Sequence, residues 1–451
     1  MRRLVPRGIA RGAALLGLCI ALGLGGCDTV SDIFEDSEEA PLTGERLSVI
    51  FLEQQLKPDP GADLLTVRLP PPYVNEDWPQ AGGYPHHAMH HLDAADVLAE
   101  AWRVRIGRGT DGDGPALSPP VIAGGRVFTM DSRSLISAFD ATTGARLWTV
   151  DTRPGDDDEG AYGGGLAFSG GWLFGATGLG RVLALDAETG ALQWRHSIGV
   201  PVRVAPTVSG GRVFGVSHDN RLWALDAGNG ALLWSHAAIE ESAGFLGGAS
   251  PAVDGGIVVA PFSSGELTAH RVENGRTVWA DILGVQGVRI GSIATFNDID
   301  GHPVSDRGMV FAIGHGGRTV AIDARSGRRM WERDIAGLDT PWVAGDYLFV
   351  VTADGELVCL SRERGAILWV RPLPRFEDPE DREDPIFWSG PALVGDRLIV
   401  TGSDGSVLSI SPYDGRYLGA YNARGAVRLP PVVADRTLYI LTDDADLIAL
   451  R

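Results

Sequence analysis

The sequence predicts an all-β, eight-bladed β-propeller whose N- and C-terminal strands share the closing blade. Three observations carry that prediction. A strand-like run ending in Asp, a short Gly turn and then a Trp recurs along the chain. It runs from Leu135 to Asp140 with Gly144 and Trp148, from Val182 to Asp186 with Gly190 and Trp194, and from Leu222 to Asp226 with Gly230 and Trp234. Fainter copies span 267–279, 319–331, 357–369 and 407–419, the last with Gly419 in the Trp position. Counting Trp102, the position occurs eight times, and a period in the forties with four short strands per unit marks a propeller. The second observation is an apolar strand after a Pro and before a Gly turn, as in Pro206 to Phe214. Its copies centre near Val121, Phe168, Val208, Val253, Val310, Val343, Leu393 and Val433, again eight. Third, the chain ends inside a repeat at Leu447-Ile448-Ala449-Leu450-Arg451, while Ala101 to Ile106 holds Trp102 with no strand before it. Joined, the two pieces complete one blade, which closes the ring over 101–451 and protects its edge strands.

Ahead of the ring, Arg2, Arg3, Arg7 and Arg11 precede an apolar run, Ala13 to Leu24, too short to span a bilayer comfortably. Leu24-Gly25-Gly26-Cys27 follows and looks like a bacterial lipobox, so residues 1–26 read as a secretory signal and Cys27 as the lipidation site. Several acyl chains on Cys27 would anchor the protein firmly with its body in the periplasm. Residues 27–75 read as an acidic, Pro-rich tether and 76–100 as a pre-propeller segment.

Within a repeat, alternation in Arg181-Val182-Leu183-Ala184-Leu185-Asp186 suits a strand with both faces packed between neighbouring blades. The closing Asp caps a turn, the Gly supplies a positive φ, and the Trp covers the gap to the next blade. No blade can bury both faces alone, so only the full stack is stable. The long insertions 155–164 and 374–385 are acid-rich and read as solvated loops.

Composition excludes several function classes. The net charge of −19 becomes −23 once the four Arg of the signal are removed, which argues against nucleic-acid binding. Of three cysteines, Cys19 leaves with the signal and Cys27 is the lipid acceptor. Cys359 remains as a core thiol, and no intrachain disulfide is expected. His86, His87, His90 and His91 could reach one transition metal if their loop curled. No Cys or carboxylate beside them completes a shell, so a structural role is the reading and no metal is expected. Asp111-Gly112-Asp113 and Asp298-Ile299-Asp300 lack the rest of a calcium loop. There is no nucleophile elbow, phosphate loop or zincin motif. No catalytic residue is assigned.

The stretch Asp186-Ala187-Glu188-Thr189-Gly190-Ala191-Leu192-Gln193-Trp194 resembles the blade signature of quinoprotein dehydrogenases. Those enzymes hold pyrroloquinoline quinone with a calcium ion and usually an adjacent-cysteine disulfide. Here there is no Cys pair and no matching set of Glu, Asn and Asp. The resemblance implies the fold, no cofactor is expected, and a quinone-dependent periplasmic dehydrogenase is the alternative function.

Lipobox, acidic tether and a quinoprotein-like ring without a cofactor site together resemble the BamB family, lipoprotein subunits of the outer-membrane β-barrel assembly machinery. The resemblance covers essentially the whole mature chain and is most specific at Asn297 to Val304 and Thr340 to Asp346. It implies a non-enzymatic scaffold at the periplasmic face of the outer membrane, with Asp28 as a possible inner-membrane retention signal. Implied partners are other assembly subunits and unfolded outer-membrane proteins. In the enterobacterial form two loops bind a POTRA domain of BamA. One carries Asp-x-Asp, matched by Asp298 and Asp300; the other falls at 243–251, with an apolar Phe245 and Leu246 where the family carries Arg. Independently of the family, Leu246 lies five residues before Pro251 and Asp298 five before Pro303, so the two loops should sit side by side on one rim. Two exposed carboxylates beside an apolar pair would select a basic partner; alternatively, the Asp pair only caps its own loop.

Overall fold

The computed structural model describes residues 56–62, 66–110, 117–153, 163–239, 248–284 and 297–451. It is all-β, with eight four-stranded antiparallel sheets and no α-helix among the described residues. Blades 1–7 span 121–151, 164–197, 207–237, 252–282, 304–333, 342–372 and 388–422. Blade 8 takes three strands from the C-terminus and its outermost, Glu100–Arg105, from the N-terminal side, paired with Asp446–Leu450. The predicted shared blade is thus observed. One repeat marker was misplaced: Val310 lies in the second strand of blade 5, whose inner strand is Val304–Asp306. The insertion at 374–385 is a small hairpin pairing Phe376–Asp378 with Glu383–Pro385.

Side-chain alternation builds the core between blades. In Arg126–Met130, Val127 packs toward blade 8 and its neighbour Phe128 toward blade 2, joining Leu166, Leu173 and Leu183. In Arg181–Asp186, Leu183 and Leu185 face blade 1 while Val182 and Ala184 face blade 3. Every strand of period two therefore serves two joints.

The Trp repeat ties each joint from outside. The indole N–H of Trp102, Trp148, Trp194, Trp234, Trp279, Trp331 and Trp369 donates to a carbonyl in the following blade's turn, at 2.7–3.2 Å. The turn glycine opposite must be Gly twice over. Gly230, for example, has φ +72°, and a Cβ there would lie 2.5 Å from the Trp194 ring. The preceding Asp shapes the turn: Asp186 Oδ1 accepts from the Thr189 amide and hydroxyl at 2.8 and 2.7 Å. At the eighth joint, where Gly419 replaces Trp, Tyr421 donates to Glu100 at 2.8 Å and Arg103 bonds both Glu100 and the Ala423 carbonyl.

Back-and-forth strands put the links between blades and the turns joining second to third strands on one face of the ring, the loop face, and the Gly turns opposite the Trp rings on the other. Residues 66–75, expected as tether, instead dock at the turn face, where Thr66 and Arg68 meet Tyr347. Residues 75–92 then circle the axial channel once, bonding the inner strand of every blade. Asn75 bonds blade 8 through Asp435, Trp78 bonds blade 1 through Ile122, and Pro79 bonds blade 2 through Phe168. The Gln80 carboxamide bonds Val208 of blade 3 in both directions, at 2.8 and 2.9 Å. Pro85 meets Val253, His86 meets Ser305, and Leu92 meets Leu393 and Gly395. The carbonyl of His90 accepts from Trp342 of blade 6. The innermost strands would otherwise present unpaired backbone groups to the channel, each costing about 1–3 kcal/mol if buried unmade. This segment is a plug, and it absorbs the histidine cluster as structure.

Candidate functional site: the loop-face rim and the axial pocket

The links preceding inner strands of consecutive blades meet on the loop face. The Ser250 amide donates to His302 Nδ1 at 2.8 Å and the Ser250 hydroxyl to the Ala205 carbonyl at 2.8 Å. Thr207 Oγ1 donates to Pro251 O at 2.6 Å, and the His302 amide to Thr340 Oγ1 at 3.1 Å. Blades 3, 4, 5 and 6 are thereby stitched at equivalent positions, so the strand entries at Pro251 and Pro303 adjoin.

The Asp pair sits differently from the expectation. Asp298 is only 2% exposed, and its carbonyl accepts from the His315 amide at 2.9 Å. Ile299 beside it is anchored among Leu283, Ala312 and Val320. Anchoring Ile299 turns the segment inward, which is why Asp298 is not an exposed carboxylate. Asp300 is half-buried; burial and then Asp298 push its carboxyl up to about 7, while Arg203 opposes the rise. Arg203 lies in the link before blade 3 and donates from Nε to His218 Nδ1 at 2.6 Å. Burial and the Arg203 charge lower the His218 pKa, matching a neutral acceptor. An open pocket of about 300 Å³ adjoins Arg203, Asn220, Ile299 and Asp300. Phe245 and Leu246 lie outside the described residues, as does Cys27. Sequence reasoning missed Arg203, although it precedes Pro206 by three residues, in the same kind of link as Asp298 and Asp300.

On the axis, a second open pocket of about 500 Å³ has the plug as its floor, through Trp78, Gly82 and His87. Its walls are the starts of inner strands, among them Pro119, His302, Trp342, Pro391 and Pro430. No charged side chain lines it. Pyrroloquinoline quinone, a tricarboxylate held beside a divalent cation, requires cationic and carboxylate neighbours. No metal-binding cluster of His, Cys, Asp and Glu occurs among the described residues. The axial pocket therefore does not fit that cofactor.

A sequence profile described as outer membrane protein assembly factor BamB matches residues 88–158 and 132–371. The chain is 32% identical over 206 residues to the assembly factor BamB of Alkalilimnicola ehrlichii, covering 46% of this chain and 51% of that protein. It is 26% identical over 212 residues to that of Escherichia coli, with the same coverage. The match thus spans about half the length of these curated relatives, which are named as assembly factors rather than enzymes. Among solved structures, BamB from Moraxella catarrhalis superposes with a TM-score of 0.64 at 22% identity, over 79% of this chain and all of that one. A quinohemoprotein alcohol dehydrogenase of Pseudomonas putida shares the fold at TM-score 0.59 and 13% identity, over 83% of this chain and 80% of that one. With the profile matching more than half of its residues, the chain belongs to the family of outer membrane protein assembly factor BamB.

Proposed function

We propose that the protein is a non-enzymatic scaffold of the outer-membrane β-barrel assembly machinery, anchored through lipid on Cys27 at the periplasmic face of the outer membrane. Its loop-face rim binds the POTRA region of BamA, with Asp300 and the neighbouring loop carrying Phe245 and Leu246 as the contact. The observation that carries this reading is the stitching of Ser250 to His302, which supports neighbouring positions for the two loops. Asp298 then acts by fixing the loop from within, and Asp300 with Arg203 offers a mixed-charge edge rather than a purely acidic one. Such an edge serves specificity more than raw affinity.

The test is isolation of the native lipoprotein from fractionated membranes in mild detergent, for the wild type and Asp300→Arg. Co-purification of BamA from the outer-membrane fraction, lost in the variant while the fold persists by circular dichroism, is the expected result. Recovery in the inner membrane without BamA would assign the anchor to Asp28-directed retention and remove the scaffold reading.

A further inference from the structure

One joint departs from the pattern that builds the others. The last inward position of the third strand packs against the preceding blade, and it is Phe139, Leu185, Leu225, Ile322, Leu360 and Ile410 in blades 1, 2, 3, 5, 6 and 7. In blade 4 it is His270, which is fully buried. Its ring lies 4.3 Å from that of His236 and 6.4 Å from that of Trp234, both on the outer strand of blade 3. Both imidazole nitrogens are engaged. Nδ1 faces the Gly275 carbonyl at 3.1 Å and carries the proton, so Nε2 accepts from the Thr268 hydroxyl at 2.7 Å.

The turn that His270 holds lacks its usual support. Asp140, Asp186, Asp226 and Asp323 accept from amides of their own turns, whereas Arg271 stands at that place in blade 4 and has no acceptor to offer. Trp234 closes the joint on this turn: its indole donates to the Val272 carbonyl at 3.0 Å, and a Cβ on Gly275 would lie 2.5 Å from its ring. The imidazole therefore pins from inside the turn against which the Trp rests. A second proton, on Nε2, would take the lone pair that Thr268 uses and place a cation in the joint. His236 is the titratable group facing it from blade 3, while Arg271, Glu273 and Arg276 of its own turn are exposed. Among the described residues no carboxylate acts on it, and a buried cation without a counter-charge is costly. Burial first, then His236, lower the His270 pKa to about 4.

We propose that the joint between blades 3 and 4 is an acid-sensitive clasp, held shut by the neutral His270 ring and opened by its protonation before the other joints yield. The opening reaches the rim, because Val216 and Phe262 belong both to the core of this joint and to the pocket beside Arg203 and Asp300. The clasp rests on the joint alone and not on the scaffold reading. A histidine lowered in the folded state contributes stability that is present above its unfolded value of 6.5 and lost as pH falls toward 4.

Hydrogen exchange of the full chain in mild detergent, corrected for intrinsic rates, tests the clasp at pH 7 and pH 5. The turn of blade 4, residues 271–277, should lose protection roughly ten- to twentyfold between the two, from the shift of 6.5 to about 4. The turn of blade 3, residues 226–232, is the internal control, since its joint has His196 in the place of His236 and Leu225 in the place of His270. It should change little. His270→Leu installs the residue of blades 2 and 3 and should make the blade 4 turn independent of pH over this range. His270→Gln, neutral but still able to donate and accept, should do the same and covers the case in which the leucine variant does not fold. Equal losses at the two turns, no loss at either, or a loss that persists in the neutral variant would overturn the proposal.

Discussion

Trp78 and Ile122 exchange both backbone hydrogen bonds, at 2.8 and 2.9 Å, so the plug is a ninth participant in the ring rather than an appendage. Its most economical contact is Gln80, whose side chain satisfies the Val208 amide and carbonyl together. Gln80→Ala strands two buried backbone groups, and a loss of about 1–3 kcal/mol is expected for each group left without water. Chemical denaturation should show a lowered midpoint with an unchanged slope. A chain beginning at Glu100, lacking the plug, should unfold with a broader transition and aggregate, because every inner strand edge is open. Wild-type melting of that truncated chain would show that the plug is dispensable.

The seven Trp joints predict graded effects at one position. Trp279 is 7% exposed and its indole N–H reaches Ala324 at 2.8 Å. Trp279→Ala removes both the ring and the bond and should cost roughly 3–5 kcal/mol. Trp279→Phe keeps most of the contact and should cost less. Across this joint, Gly327 has φ +74°, with the Trp279 ring base 2.6 Å from where a Cβ would stand. Gly327→Ala should therefore destabilise despite adding only a methyl group, while Gly419→Ala, which meets nothing within 4 Å, should be close to neutral. Similar losses at 327 and 419 would argue against the joint as the cause.

The ring was legible in the sequence because each joint repeats a local pattern. Asp, Gly and Trp fall within about ten residues, and the shared closing blade follows from where that pattern begins and ends. Blade 5 was mis-centred at Val310 because Met309–Ile313 is a longer apolar run than the three-residue inner strand Val304–Asp306. The plug was not legible, since Gln80 and Val208 are 128 residues apart and Asn75 and Val433 are 358 apart. Its residues follow no period, as each answers a different blade. At the rim, the spacing marks Pro251 and Pro303 as equivalent strand entries, and the Ser250–His302 bond joins those entries. The burial of Asp298 goes with the Ile299 anchor, and the charge facing Asp300 comes from Arg203 two links away; no local pattern encodes either.

The buried ion pair between blades 5 and 6 gives a sharper electrostatic prediction. Arg362, 5% exposed, bonds the Asp306 carboxylate through Nη1 and the Asp306 carbonyl through Nη2, and lies 5.4 Å over the Phe311 ring. Arg362→Ala leaves the Asp306 carboxylate with His90, 3.6 Å away, as a conditional counter-charge and with the more exposed Arg307 at 3.8 Å, without the bidentate partner. Breaking such a pair from one side costs about 3–5 kcal/mol. Replacing both partners, as Arg362→Met with Asp306→Leu, should recover most of that loss. A double variant as unstable as the single one would show that the bonds to backbone, rather than the unpaired charge, dominate.

Asp300 makes the rim pH-sensitive in a direction that can be worked out. Its carboxyl is raised from 3.8 to about 7, first by burial and then by Asp298. An acid with a raised folded pKa holds its proton more tightly in the native chain. Its contribution is therefore fully present below the unfolded value near 3.8 and is lost as pH rises through about 7. Asp339, also raised to about 7 by burial, acts the same way. His302 and His270 oppose them: both are lowered to about 4, so their contribution is lost as pH falls from 6.5 toward 4. Wild-type melting alone would mix these slopes, and Asp300→Asn isolates one of them. Its melting temperature relative to wild type should rise from pH 5 and level off above about pH 7, because only the wild type must ionise a half-buried acid beside Asp298. Parallel curves across that range would mean that Asp300 is solvated enough to titrate normally. The same substitution mimics the protonated acid, so if the rim binds BamA through Asp300, wild-type affinity should approach that of Asp300→Asn at pH 5 and diverge from it at pH 8.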